Sequence, residues 1–177
     1  MRYYLLPVMG QVEESGVSAF RYVTCRQCGN SFRRQEGDMV LKTVQPVGAF
    51  STTMDGDLIA LQEVAEGILE AESSVKLRPI SLDGAEGTWF QVIPLACFEL
   101  SASSLRSPRE HCSDCGGVAR VQFGDYPPLV ITRGEGDLPL LAYVCGAPLM
   151  TVFSSQILDI LSDADSTFAA AEVRLGD

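Results

Sequence analysis

Apolar residues along the chain fall into short strand-like runs broken twice by a helical period. In "GDLIALQEVAEGILEAESSVKLRPI" the residues Leu58, Leu61, Ala65 and Ile68 recur at three- and four-residue spacing. That spacing puts them on one stripe and predicts a helix. Asp57 is placed to cap it, and acids in its first turn suit the helix dipole. Glu63, Glu66 and Glu70 then lie off the stripe. A second helix is predicted in "LMTVFSSQILDILSDADSTFAAAEVRL", starting at Ser154 or Ser155 and burying Ile157, Ile160 and Leu161. Each helix is followed by a strand candidate, "VKLRPI" and "AAEVRL". "DMVLKTV", "VARVQF" and "PLVITRGEG" read as further short strands, and the start "MRYYLLPV" as a first one. "TWFQVIPLACFEL" has the β-branched and aromatic content of a strand pair or one bent strand.

The order repeats. Leu61, Ile68 and Leu69 match Phe153, Ile160 and Leu161 at a shift of 92 residues. The fold class read from this is α+β, one domain of two similar halves, about 1–100 and 101–177. "SASSLRSPRE" is the linker between them.

At the head of each half stands a CxxCG motif, Cys25-Arg26-Gln27-Cys28-Gly29 and Cys112-Ser113-Asp114-Cys115-Gly116. A CxxC followed by glycine makes a tight turn that aims two sulfurs at one point, since glycine accepts positive φ. Two such knuckles supply four thiolates, the closed set of a structural zinc site, and zinc tying the halves is the leading reading. The 83 residues between Cys28 and Cys112 exceed the usual zinc-ribbon gap. Closing such a loop costs on the order of 4 kcal/mol, whereas structural zinc returns roughly 10–16 kcal/mol in small peptides. Two alternatives stay open. A redox CxxC would sit at a helix N-terminus, and here both motifs lead into strand-like segments. The pairs could also make only local contacts.

Composition narrows the function classes. The chain has 177 residues, 46% of them apolar, enough for a core without help from metal or disulfides. No apolar stretch is long enough to span a membrane, and the start does not read as a signal peptide. Six cysteines with no signal peptide suggest a reducing, cytoplasmic setting. Cys97 and Cys145 lack a CxxC partner and read as buried free thiols. A net charge of −10 repels nucleic acid and steers in basic partners. Arg21, Arg26, Arg33 and Arg34 near the first knuckle balance charge locally. The acids Asp55, Asp57, Glu63, Glu66, Glu70 and Glu72 read either as a solvated helix face or as a recognition face, with Glu63, Glu66 and Glu70 as its candidates. The single histidine, His111, is a loop residue beside Cys112 and a further candidate ligand. No catalytic triad, P-loop or dinucleotide fingerprint occurs.

The two knuckles, the "MRYYLL" start and the closing helix–strand "FSSQILDILSDADSTFAAAEVRL" resemble the double-CXXCG motif family of myxobacteria. The resemblance implies that Cys25, Cys28, Cys112 and Cys115 form a metal site. It further implies a non-enzymatic immunity protein that neutralises a cognate toxin in a toxin–antitoxin relationship. A thiol–disulfide oxidoreductase and a zinc-ribbon accessory subunit of a larger complex are the competing functions.

Overall fold

The computed structural model describes residues 1–9, 11–14, 20–27, 31–35, 38–45, 47–53, 56–99, 101, 112–113, 130–132, 138–144 and 147–176, with the backbone alone at 20–23, 31–35 and 147–149. The architecture is α+β, with two helices and two barrel-like six-stranded sheets among these residues. The first sheet holds β2 (Val12–Glu14), β5 (Val40–Thr43), β8 (Val75–Asp83), β9 (Trp89–Pro94), β7 (Leu58–Leu61) and β6 (Phe50–Thr52), in that spatial order. The second holds β10 (Cys97–Phe98), β12 (Leu141–Val144), β13 (Ala147–Ser154), β1 (Tyr3–Leu5), β14 (Ala171–Gly176) and β11 (Val130–Thr132). A separate hairpin joins β3 (Phe20–Thr24) to β4 (Ser31–Gln35).

Five strands of each sheet correspond; the sixth, β2 in one and β10 in the other, lies at opposite ends. In the first sheet β7 leads into helix α1 (Gln62–Ala71), which returns as β8; in the second, β13 leads into α2 (Ser155–Ala164), which returns as β14. The run β5-β8-β9-β7-β6 matches β11-β14-β1-β13-β12 in order. Directions match too. β5 with β8 and β11 with β14 are parallel, and every other neighbour pair in both runs is antiparallel. One difference is informative. β9 follows β8 along the chain, whereas its counterpart β1 comes from the first residues. The start of the chain thus completes the second sheet, and its end pairs with its beginning, Tyr3 opposite Val173.

Packing follows from strand alternation. On β7 Leu58 and Ala60 face the helices while Ile59 faces away; on β13 Phe153 faces the helices and Val152 does not. The central core draws on both halves: Phe50, Leu58, Val64, Ile68 and Val92 pack with Leu141, Phe153, Ile157 and Leu161. Tyr3, Ile131, Val152 and Val173 fill the far side of the second sheet, and Val12, Leu41, Ile59 and Trp89 that of the first. The helices lie against each other, with Ile160 near the bare backbone of Gly67; a Cβ there would stand 3.7 Å from the isoleucine. Glu72, just past α1, crosses between halves and accepts the backbone N–H of Leu140 at 2.6 Å and that of Ser74 at 2.9 Å.

Several expectations need correcting. Leu58 and Leu61 belong to β7, not to the first helix, which begins at Gln62 with Leu61 at its N-cap position. Asp57 therefore caps no helix. It is buried before β7, accepts the Gln91 amide at 3.1 Å and the Thr53 hydroxyl at 3.3 Å, and donates its own N–H back to Thr53 Oγ1. α2 starts at Ser155, and the Ser154 hydroxyl accepts the Ile157 N–H at 3.4 Å. Its fully buried residues are Ile157 and Leu161, with Ile160 only half-buried. The helices start at Gln62 and Ser155, 93 residues apart, so Val64 matches Ile157 and Ile68 matches Leu161. The shift of 92 was one residue short. "VARVQF" and "SASSLRSPRE", apart from Ser101, lie outside the described residues.

Candidate metal centre

The described part of the first knuckle, Cys25 to Gln27, leads out of β3 in the β3–β4 hairpin. Cys25 follows the last residue of β3, and Arg26 and Gln27 form the turn. The antiparallel register from Phe20 opposite Gln35 to Thr24 opposite Ser31 brings the hairpin arms together at this point. The second knuckle enters through Cys112, 7% exposed, with Ser113 turning behind it. Although 87 residues apart in sequence, the Cys25 and Cys112 sulfurs stand 3.7 Å from each other.

That distance has a chemical meaning. A disulfide would hold the sulfurs at about 2.05 Å. Around a tetrahedral metal with bonds of about 2.3 Å, ligand sulfurs are separated by about 3.8 Å. The Cys25–Cys112 pair thus has the spacing of two corners of a tetrathiolate site, and both donors are soft sulfurs of the kind that zinc takes. The first cysteine of one knuckle faces the first cysteine of the other. Cys28, Cys115 and His111 lie outside the described residues. Among the described residues no group of three or more histidine, cysteine or carboxylate side chains converges.

Gln27 bridges the knuckles. Its Oε1 accepts from the Cys112 thiol at 3.4 Å and from the Ser113 hydroxyl at 3.1 Å. Its place between the two cysteines of the first motif was its only signal.

Cys97 departs from expectation. It is exposed on β10 and disulfide-bonded, not a buried free thiol. Cys145 lies outside the described residues.

The acidic set divides. Glu63, Glu66 and Glu70 are exposed on α1, and Gln62 donates its amide to Glu66 at 2.7 Å. Asp57 is buried, Glu72 is half-buried across the halves, and Asp55 lies outside the described residues. Partial burial pushes the Glu72 carboxyl up, but its hydrogen-bond donors outweigh that and hold its pKa below the usual value. The Ser74 hydroxyl makes no hydrogen bond of its own, so we assign this effect to the Leu140 and Ser74 backbone N–H groups. α2 adds two residues that the sequence reading passed over, the exposed Asp159 and Asp163. Their four-residue spacing off the Ile157–Leu161 stripe was the available signal. Neither helix carries a lysine, arginine or histidine.

Comparison with protein-family models and with curated protein sequences returns no match. No helix among the described residues is long and apolar enough to cross a membrane.

Proposed function

We propose that the chain is a zinc-stapled binding protein that blocks a basic protein partner, an immunity protein against a cognate toxin. The observation that carries the metal half of this reading is the 3.7 Å approach of Cys25 and Cys112. Cys25, Cys28, Cys112 and Cys115 would hold the ion. Four thiolates leave no open position for water or substrate, so the metal would supply stability and not catalysis. A thiol–disulfide enzyme is less well supported. Its reactive pair would lie within one CxxC at a helix start, whereas the first motif leads out of β3 in a hairpin and its Cys25 meets a sulfur from the other motif.

The binding half rests on the helix pair together with the resemblance. Glu63, Glu66, Glu70, Asp159 and Asp163 are exposed on adjacent helices without a single positive charge between them. Such a field steers in a cationic surface and speeds association, which suits a basic toxin. The test is protection. Where a neighbouring gene encodes a toxin, cells producing that toxin should survive when they also produce the chain and die when they do not. Death in both cases, together with measurable thiol exchange by the purified chain, would replace this reading with the oxidoreductase.

A further inference from the structure

We infer that Gln27 positions the Cys112 sulfur for the metal by donating a hydrogen bond to it as a thiolate; this rests on reading the knuckle cysteines as metal ligands. The carboxamide oxygen accepts from both the Cys112 thiol, at 3.4 Å, and the Ser113 hydroxyl, at 3.1 Å. A metal-bound thiolate has no proton to give and only accepts. A carboxamide answers both states because its other terminus carries two N–H donors. A half-turn of the amide brings Nε2 to where Oε1 stands. One N–H then serves the Cys112 sulfur and the other the Ser113 oxygen, which accepts as readily as it donates. Gln27 is exposed. Cys112 is 7% exposed, so water has little access to its sulfur and the protein must supply the donor. Residues that orient a ligand in this way are commonly worth 10- to 100-fold in metal affinity.

Gln27→Glu separates this role from simple packing. The glutamate keeps the shape and can still accept from a thiol and from Ser113, but it cannot donate to a thiolate. The probe is cobalt(II), whose sulfur-to-metal charge-transfer band reports on the bound sulfurs, followed by competition with a chelator. Wild type and variant should each take up one cobalt. In the variant the band should move to lower energy, because an unbonded thiolate gives up its electrons more easily, and the chelator should strip the metal about tenfold faster. Ser113→Ala, which leaves the N–H to Cys112 in place, should keep the wild-type band. A wild-type band and release rate in Gln27→Glu would overturn the role of Gln27 and leave the metal site standing. A wild-type chain that takes up no cobalt would overturn the metal site, and this inference with it.

Discussion

Cys25 Sγ and Cys112 Sγ lie 3.7 Å apart across 87 residues of chain. The first directly follows β3 and the second stands at the entry to the other knuckle, so no local turn creates the contact. The rest of the fold already joins the halves, through the shared core around Ile68 and Leu161 and through β1 in the second sheet. Much of the loop-closure entropy for a bridging ion is therefore met before the ion arrives.

Metal removal should loosen this junction. A chelator should lower the unfolding free energy of wild type by about 3 kcal/mol or more, a fraction of what structural zinc supplies to peptides. Cys112→Ser should start from the lower stability and respond to the chelator no further. Urea unfolding with and without chelator measures both. Equal wild-type stabilities in the two conditions would count against a structural metal.

Glu72 should make part of the stability acid-sensitive. Its folded pKa is depressed from the ordinary 4.5, so the unfolded chain binds its proton more readily. The contribution is fully present above about pH 5 and is lost as the pH falls through the folded pKa. Glu72→Gln should cost about 1 kcal/mol at pH 7, since a charged acceptor of the Leu140 and Ser74 N–H groups becomes neutral. The difference from wild type should shrink toward pH 3. Denaturation across that range checks it, and a constant difference would contradict the assignment.

The paired helices give a packing test of the repeat. Ile68→Ala and Leu161→Ala remove equivalent, fully buried side chains from one shared core. Each should cost about 2–4 kcal/mol. Ile160→Ala, at a half-buried position, should cost clearly less. Three thermal or urea unfolding curves decide the matter, and an Ile160 cost equal to that of Leu161 would favour the shift of 92 over 93.

Replacing Glu63, Glu66, Glu70, Asp159 and Asp163 with their amides should leave stability within about 0.5 kcal/mol, because all five are exposed. Association with the toxin should slow about tenfold at low salt. The gap should close as salt rises, since exposed charges are screened within roughly 10 Å at 0.1 M. Equal rates throughout would make the face plain solvated surface.

The elements most legible in the sequence were those with one strong signal. α2 is marked by a serine cap and its stripe, and β5, β8 and β14 by short apolar segments, the last two directly after a helix. The first helix begins later than its apolar spacing predicts, for a physical reason. β7 reads "LIAL" and is buried on both faces, and a short continuous apolar run does not reveal its period. Leu58 and Leu61 happened to fall in helical step with Ala65 and Ile68. Asp57 then looked like a cap, when its carboxylate in fact closes a buried turn with Thr53 and Gln91. The insertion of β1 between β13 and β14 left no local trace, because strand pairing across the length of the chain is decided by tertiary packing. The two CxxCG motifs were plain in the sequence. Their meeting at Cys25 and Cys112, and Gln27 between them, were not, because spacing along a chain says little about distance through a fold.

The central claim is that the two knuckles share one metal. Elemental analysis of gently purified protein, combined with X-ray absorption at the zinc edge, tests it most directly. The account predicts about one zinc per chain, bound by four sulfurs at about 2.3 Å. Protein free of metal, with its knuckle cysteines oxidised to Cys25–Cys28 and Cys112–Cys115 disulfides, would contradict it.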